Sequence, residues 1–158
     1  RVSMSYSKEF SRWGELILIV KYNKLFGKSI EVADAIFPTS KPITIYDLDN
    51  GVGFKVLKPY QRIGMDQLFE IHIQQNLKGL ILDRIPFLNR LGFTEILSYS
   101  YLTNTENTPY TELAIGLGNI GFGTFRYLRI DWVKVLNGGT FGHSYLRVGI
   151  NNILQLGR

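Results

Sequence analysis

Between Gln67 and Asn152 apolar and polar residues alternate in five stretches, with a turn between each. The clearest are Phe69-Glu70-Ile71-His72-Ile73, Glu112 to Gly118, Arg126 to Val135 and Ser144 to Asn151. Alternation at period two marks a strand with one dry face and one wet face. The wet face carries whole charges: Glu70, His72, Lys78, Glu112, Arg129, Asp131 and Arg147. A soluble barrel turns such a face to water and seals the other into a core. A transmembrane barrel does the opposite, apolar outside and polar inside, and writes the same pattern.

The same pattern sets the order of elements. Arg1 to Ser7 reads as a strand, Lys8 to Gly14 as a turn, and Glu15 to Leu25 as a second strand with Leu16, Leu18, Val20 and Tyr22 on one face. Residues 26–65 do not alternate cleanly and hold Pro38, Pro42, Pro59, Asp47, Asp49, Asn50 and Gly51, so they predict an irregular loop or crossing segment, with a short helical turn near Ile30 to Ile36. Asp66 to Leu82 is the longest strand candidate, 17 residues. Asp83 to Gly92 is a turn containing Pro86, followed by strands at Phe93 to Leu102, Tyr110 to Gly118, Phe125 to Leu136 and Gly142 to Leu154. Thr103 to Pro109, Asn119 to Thr124 and Asn137-Gly138-Gly139 supply the turns between them. The expectation is a single all-β domain over 1–158, an antiparallel transmembrane β-barrel segment of about seven to eight strands with no helix of substance.

Composition narrows this only slightly. Hydrophobic residues make up 45% and charged residues 20%, which suits a globular protein and an outer-membrane barrel equally. The longest apolar run, Leu16 to Val20, is far short of the roughly 18 residues of a membrane helix, so a helical membrane protein is excluded and a barrel is not. Aromatics reach 13%, which fits a β-rich core and also the aromatic girdles of a membrane barrel. The formal charge of +5 is scattered, which fits a solvated surface and not a nucleic-acid partner. The absence of cysteine removes disulfides, thiolate zinc sites and cysteine nucleophiles together. A first residue that is not Met points to a removed leader or a segment of a longer chain.

Candidate chemistry is thin. His72 and His143 stand 71 residues apart, with no third metal ligand at a matching spacing, and read as lumen or surface histidines. Glu112, Arg129 and Asp131 lie on the polar faces of consecutive strands. An arginine among two carboxylates reads as an ion network before it reads as an acid–base pair. Gly116-x-Gly118-x-x-Gly121 has the spelling of a dinucleotide motif, but the segment after it alternates as a strand, so these glycines read as a hairpin turn and close-packed wall positions. No catalytic, cofactor-binding or metal site follows, and the chain does not read as an enzyme.

The stretches HIQQNLKGLILDRIPFLNRLGFTEILSYSYL, PYTELAIGLGNIGFGTFRYLRIDWVKVL and the closing LRVGINN resemble the C-terminal part of a Bacteroidota outer-membrane β-barrel family of unknown function. The resemblance rests on Gly79, Ile85, Pro86 and Leu91, then Tyr110, Glu112, Gly116, Asn119 and Ile120, then Leu128, Arg129, Ile130, Asp131 and Val133. It runs from Ile45 to Asn152, with weaker likeness from Gly14 to Pro42. Members of that family often carry an N-terminal carboxypeptidase-regulatory-like domain and look related to BamA-like and surface-antigen barrels. The resemblance implies a C-terminal fragment of a longer barrel. The chain departs from those barrels in ending without a terminal aromatic.

Together these readings give an expectation: a non-catalytic wall in the outer membrane, serving transport or assembly of envelope proteins. Its partners are membrane lipid and other envelope proteins. The lipid-facing residues are expected to be Leu113, Ile115, Leu117, Leu128, Ile130, Trp132, Leu146, Val148 and Ile150. A lumen charge network is expected from Glu112, Arg129, Asp131 and Arg147, with Arg129 or Asp131 pairing across strands. The alternative is a soluble calyx holding a small apolar ligand, which needs the Leu113 face inside.

Overall fold

Seven antiparallel strands form among the described residues: β1 (Val2–Phe10), β2 (Gly14–Lys24), β3 (Gln67–Asn76), β4 (Thr94–Asn104), β5 (Tyr110–Phe122), β6 (Phe125–Asn137) and β7 (Thr140–Ile150). The protein is seen here in a computed structural model that describes residues 2–10, 13–24, 36–40, 52–58, 61–62, 67–123 and 125–150. Each strand pairs with its neighbours in sequence, giving one sheet in the order β1 to β7. The strands run from 9 to 13 residues, about twice the usual globular length. The sheet is open, and β1 and β7 are its two edges.

Register makes each face continuous. Met4 faces Val20, Val20 faces Ile71, Ile71 faces Tyr101, Leu113 faces Lys134 and Tyr99, Ile115 faces Leu97 and Trp132, and Trp132 faces Leu146. Because side chains alternate across a strand, these positions share one side, the apolar face. The other side, the charged face, carries Lys21, Glu70, His72, Ser100, Glu112, Arg129, Asp131 and Arg147.

Strand ends differ from those read in the sequence at β1, β3 and β5, and β1 runs to Phe10, into the expected Lys8 to Gly14 turn. The strand expected over Asp66 to Leu82 stops at Asn76. Lys78 and Gly79 take left-handed backbone (φ 48° and 85°), which turns the chain out of the sheet and places Lys78 in a turn instead of on the wet face. Two short 3-10 turns, Leu82–Arg84 and Asn89–Leu91, then carry it to β4. Conversely, β5 runs through the expected Asn119 turn to Phe122. Left-handed Asn119 (φ 59°) sits where the β5–β6 register slips between Leu117 and Ile120, so the irregularity is absorbed as a bulge. The glycines of the nucleotide-like motif therefore lie inside a strand. Gly116 is a close-packed wall position: a Cβ there would stand 2.2 Å from the Asp131 carboxylate. The expected helical turn near Ile30 lies outside the described residues.

Of the crossing segment, residues 36–40, 52–58 and 61–62 are described, and the first two stretches lie against the charged face. Phe54 donates its backbone N–H to the Thr39 carbonyl at 3.0 Å, and Ser40 and Phe54 form a parallel bridge. Phe54 and Leu57 pack with Leu68, Leu102, Tyr110 and Val135 into the one fully buried apolar cluster of the described residues.

Candidate functional site: a charged face closed by the crossing segment

Glu112 is the hub. Its position in β5, at even parity with Ala114 and Gly116, aims its side chain at the crossing segment. One carboxylate oxygen accepts the backbone N–H of Lys55 at 2.6 Å. The other accepts the N–H groups of Val56 at 3.1 Å and Leu57 at 2.9 Å, and the Tyr110 hydroxyl at 2.8 Å. Irregular backbone on a sheet face has no ladder to join, and a carboxylate that takes three successive amides supplies one. The side chain is 2% exposed, so the carboxylate has exchanged water for these four donors.

Glu70 repeats the device two strands away, on β3. It accepts the Thr39 N–H at 3.2 Å and lies 3.1 Å from His72 Nε2. His72 Nδ1 lies 3.0 Å from the Ser100 hydroxyl, and the Phe54 ring meets the imidazole edge-on at 4.8 Å. Lys21 adds a hydrogen bond from its ammonium to the Thr39 hydroxyl at 2.9 Å. Acid, imidazole and hydroxyl are connected here in the order found in nucleophilic triads. All three side chains are buried, however, with the serine beneath Gly53 and Phe54. What the chain of contacts does is tie β3 and β4 to the crossing segment.

Arg129 and Asp131 stand two residues apart on β6 and pair along the strand, through Arg129 Nε at 2.9 Å and Nη2 at 2.8 Å, both to Asp131 Oδ1. The expected partner lay on a neighbouring strand. Residues at i and i+2 share a face, and arginine is long enough to fold back along its own strand. Arg147 faces Asp131 in the β6–β7 register. Glu112 is taken up by the crossing segment. The four charges expected as one network are thus gathered on one face, within electrostatic reach of Lys55.

Lys55 completes this face. Burial, with Arg129 and Arg147 nearby, pushes its ammonium down from 10.5 to about 8, against the opposing pull of Asp131 and Glu112. A lysine with a lowered pKa in the docked state holds fewer protons there than when released. Docking of the segment is therefore expected to tighten as pH rises from about 8 to 10.5. Below that window the cost of burying the ammonium is carried in full. Amide exchange of residues 52–58 measured across it checks the sign, and Lys55→Met should abolish the dependence.

On the apolar face, Leu113, Ile115, Leu117, Leu128, Ile130, Trp132, Leu146 and Val148 are exposed, with Ile115 at 56% and Leu146 at 72%, while Ile150 is half-buried. Ile73, Leu97, Tyr99, Leu113, Ile115 and Trp132 line a shallow groove there. Glu112, Arg129 and Asp131 are 2–4% exposed. Among the described residues no group of three or more histidine and acidic side chains is arranged to hold a metal. His143 is exposed on β7. Sequence reasoning missed Thr39, Lys55 and Ser100. Only Ser100 carried a signal, its parity opposite Glu112 and His72 on the neighbouring strands.

These features define a class: an open antiparallel sheet whose charged face is buried and whose apolar face is bare. Residues 1–117 match the family described as a family of unknown function (DUF5686), C-terminal domain, and the chain belongs to that family. The matched region takes in β1 and β2, where likeness in the sequence was weakest, and stops before β6 and β7. Neither a curated protein nor a solved structure matches the chain.

Proposed function

We propose that this domain is part of the wall of a transmembrane β-barrel in an outer membrane, a non-catalytic element serving transport or assembly of envelope proteins. The observation that carries the reading is the inversion of its faces. Leu113, Ile115, Leu128, Ile130 and Trp132 stand exposed while Glu70, Glu112, Arg129 and Asp131 are buried. Water disfavours an apolar band of that extent by roughly 25 cal/mol for each Å², and hydrocarbon welcomes it. Strands of 9–13 residues fit a tilted crossing, and pairing along the sheet satisfies the backbone where no water can. No helix among the described residues is long and apolar enough to cross a membrane, a statement that does not bear on strands. A soluble calyx would need the Leu113 face enclosed, and its exposure weighs against that reading. The resemblance to Bacteroidota outer-membrane barrels with a carboxypeptidase-regulatory-like domain supports the same assignment. In this reading the crossing segment stands in the lumen as a plug held by Glu112 and Glu70.

The test is lipid dependence. The full-length natural protein, diluted from urea, is expected to need detergent or vesicles to stay in solution and to float with the vesicles in a density gradient. A protein that remains dissolved and sheet-rich in plain buffer, and does not float, would overturn the membrane reading in favour of the calyx.

A further inference from the structure

The two ends of the sheet differ in chemistry. The β1–β2, β3–β4 and β5–β6 connections all fall at one end. There Trp13, Ile81, Ile85, Phe87, Phe122 and Phe125 are exposed, Phe87 at 76% and Phe122 at 87%. At the other end the two short connections, Thr105-Glu106-Asn107-Thr108-Pro109 and Gly138-Gly139, hold no aromatic residue, and the exposed aromatics nearest them are fewer: Phe141 at the start of β7 and Phe37 in the β2–β3 connection. Three separate connections thus converge on one apolar rim.

The β3–β4 connection is built onto this rim and not left loose. Glu95 accepts the backbone N–H groups of Gly79 at 2.9 Å, Ile81 at 3.1 Å and Leu82 at 2.5 Å. Glu95 has the parity of Leu97 and Tyr99, so the carboxylate that holds the connection points to the apolar side of the sheet. At the far end of the connection, Leu91 and Phe93 line a recess with Phe122, Phe125 and Leu128, and Leu128 belongs to the apolar face. Nearer its start, Leu80, Ile81 and Arg84 line another with Trp13. The rim is therefore continuous with the apolar face. Within residues 77–93 three bases stand against one acid, Asp83: Arg84 and Arg90 are exposed beside it, and Lys78 pairs with Glu9 of β1, while the Glu95 carboxylate is buried on the connection's own amides.

We propose that residues 77–93 seat this end of the wall in the headgroup layer of an anionic phospholipid leaflet. Ile81, Ile85 and Phe87 enter the acyl boundary and Arg84 and Arg90 meet the phosphates. This rests on the membrane reading above. Aromatic side chains collect at that depth because their rings are apolar and polarisable, and cations there are drawn to anionic headgroups.

Trp13 and Trp132 are the chain's two tryptophans and separate the inference from its premise. In the full-length protein in vesicles, with every other tryptophan replaced by Phe, Trp13 alone is expected to be quenched about twofold more by lipid brominated near the glycerol backbone than near the chain ends, the depth of an aromatic belt. Trp132 alone, isolated in the same way, should show the reverse order. Phe87→Trp in the background with every tryptophan replaced should behave as Trp13 does. Phosphatidylglycerol should deepen the effect over phosphatidylcholine, and Arg84→Gln with Arg90→Gln should remove that preference. Trp132 quenched while Trp13 and the Phe87→Trp probe are not would overturn this inference and leave the membrane reading standing. A rim quenched alike in both lipids, indifferent to the arginine replacements, would overturn the anionic partner. Quenching of neither region would remove the membrane reading itself.

Discussion

Ile115→Arg is expected to cost about 2–4 kcal/mol in a lipid bilayer, the penalty of a basic side chain near the midplane of a barrel wall. Ile115 is the residue to choose because it is central in β5 and opposed by Leu97 on one side and Trp132 on the other. It is 56% exposed, so the change removes no packed core and opens no cavity. That makes the two environments give opposite answers. At an exposed site in water, a substitution of this kind stays within about 0.5 kcal/mol of neutral, and replacing an isoleucine there by a charge improves solubility. In hydrocarbon the guanidinium has no water, and the Glu95 carboxylate on the same side already holds the amides of Gly79, Ile81 and Leu82. Urea titration of the full-length protein in vesicles, followed by sheet circular dichroism, measures the difference. A midpoint unchanged by the substitution would place Ile115 in water and end the assignment of this face to lipid. Ala114→Val, which alters the neighbouring but buried side, serves as a comparison for damage to the wall that has nothing to do with lipid.

The part of the fold that was legible in the sequence is the part governed by local parity. From β4 to β7 each side chain's face follows from its neighbours two residues away, so Leu113 and Ile115 separate from Glu112 without knowledge of the rest. Parity could not say which face is covered, since a calyx and a membrane wall share it. The cover on the charged face comes from contacts between residues far apart in sequence. Lys55, Val56 and Leu57 meet Glu112 across more than fifty positions. A stretch such as Val52-Gly53-Phe54-Lys55-Val56-Leu57 carries no period because it belongs to no ladder. The early end of β3 was hidden for a related reason. Lys78 is an unlikely residue for left-handed backbone by type, and what holds the turn is Glu95, sixteen residues beyond Gly79. At Asn119 the turn-forming residue was visible, but its effect was a bulge within a longer strand and not a turn, because pairing resumes at Ile120 opposite Leu128.

Glu112→Ala is expected to release the crossing segment while leaving the sheet in place. The carboxylate holds three consecutive backbone amides and the Tyr110 hydroxyl, all in a region with almost no access to water. Each buried donor left without an acceptor costs about 1–3 kcal/mol. Taking the low end for each of the four, since water enters the space the side chain leaves, gives a loss of about 4 kcal/mol in docking. Glu112→Gln keeps the shape and one good acceptor, and presents an amide donor to the amides it should receive, so its loss should be smaller but of the same kind. The strands have their own ladder, with Glu112 opposite Ser100 and Val135, and neither neighbour depends on the carboxylate to keep register. Hydrogen exchange separates the two expectations. Amides 55–57 should lose protection in Glu112→Ala and in part in Glu112→Gln, with β4, β5 and β6 protected as before. If the segment is a plug in a membrane wall, the same variants should raise the conductance of the full-length protein in a planar bilayer. Protection of residues 55–57 that survives removal of the carboxylate would show that the apolar seating of Phe54 and Leu57 holds the segment alone, and Glu112 would lose its place at the centre of the site.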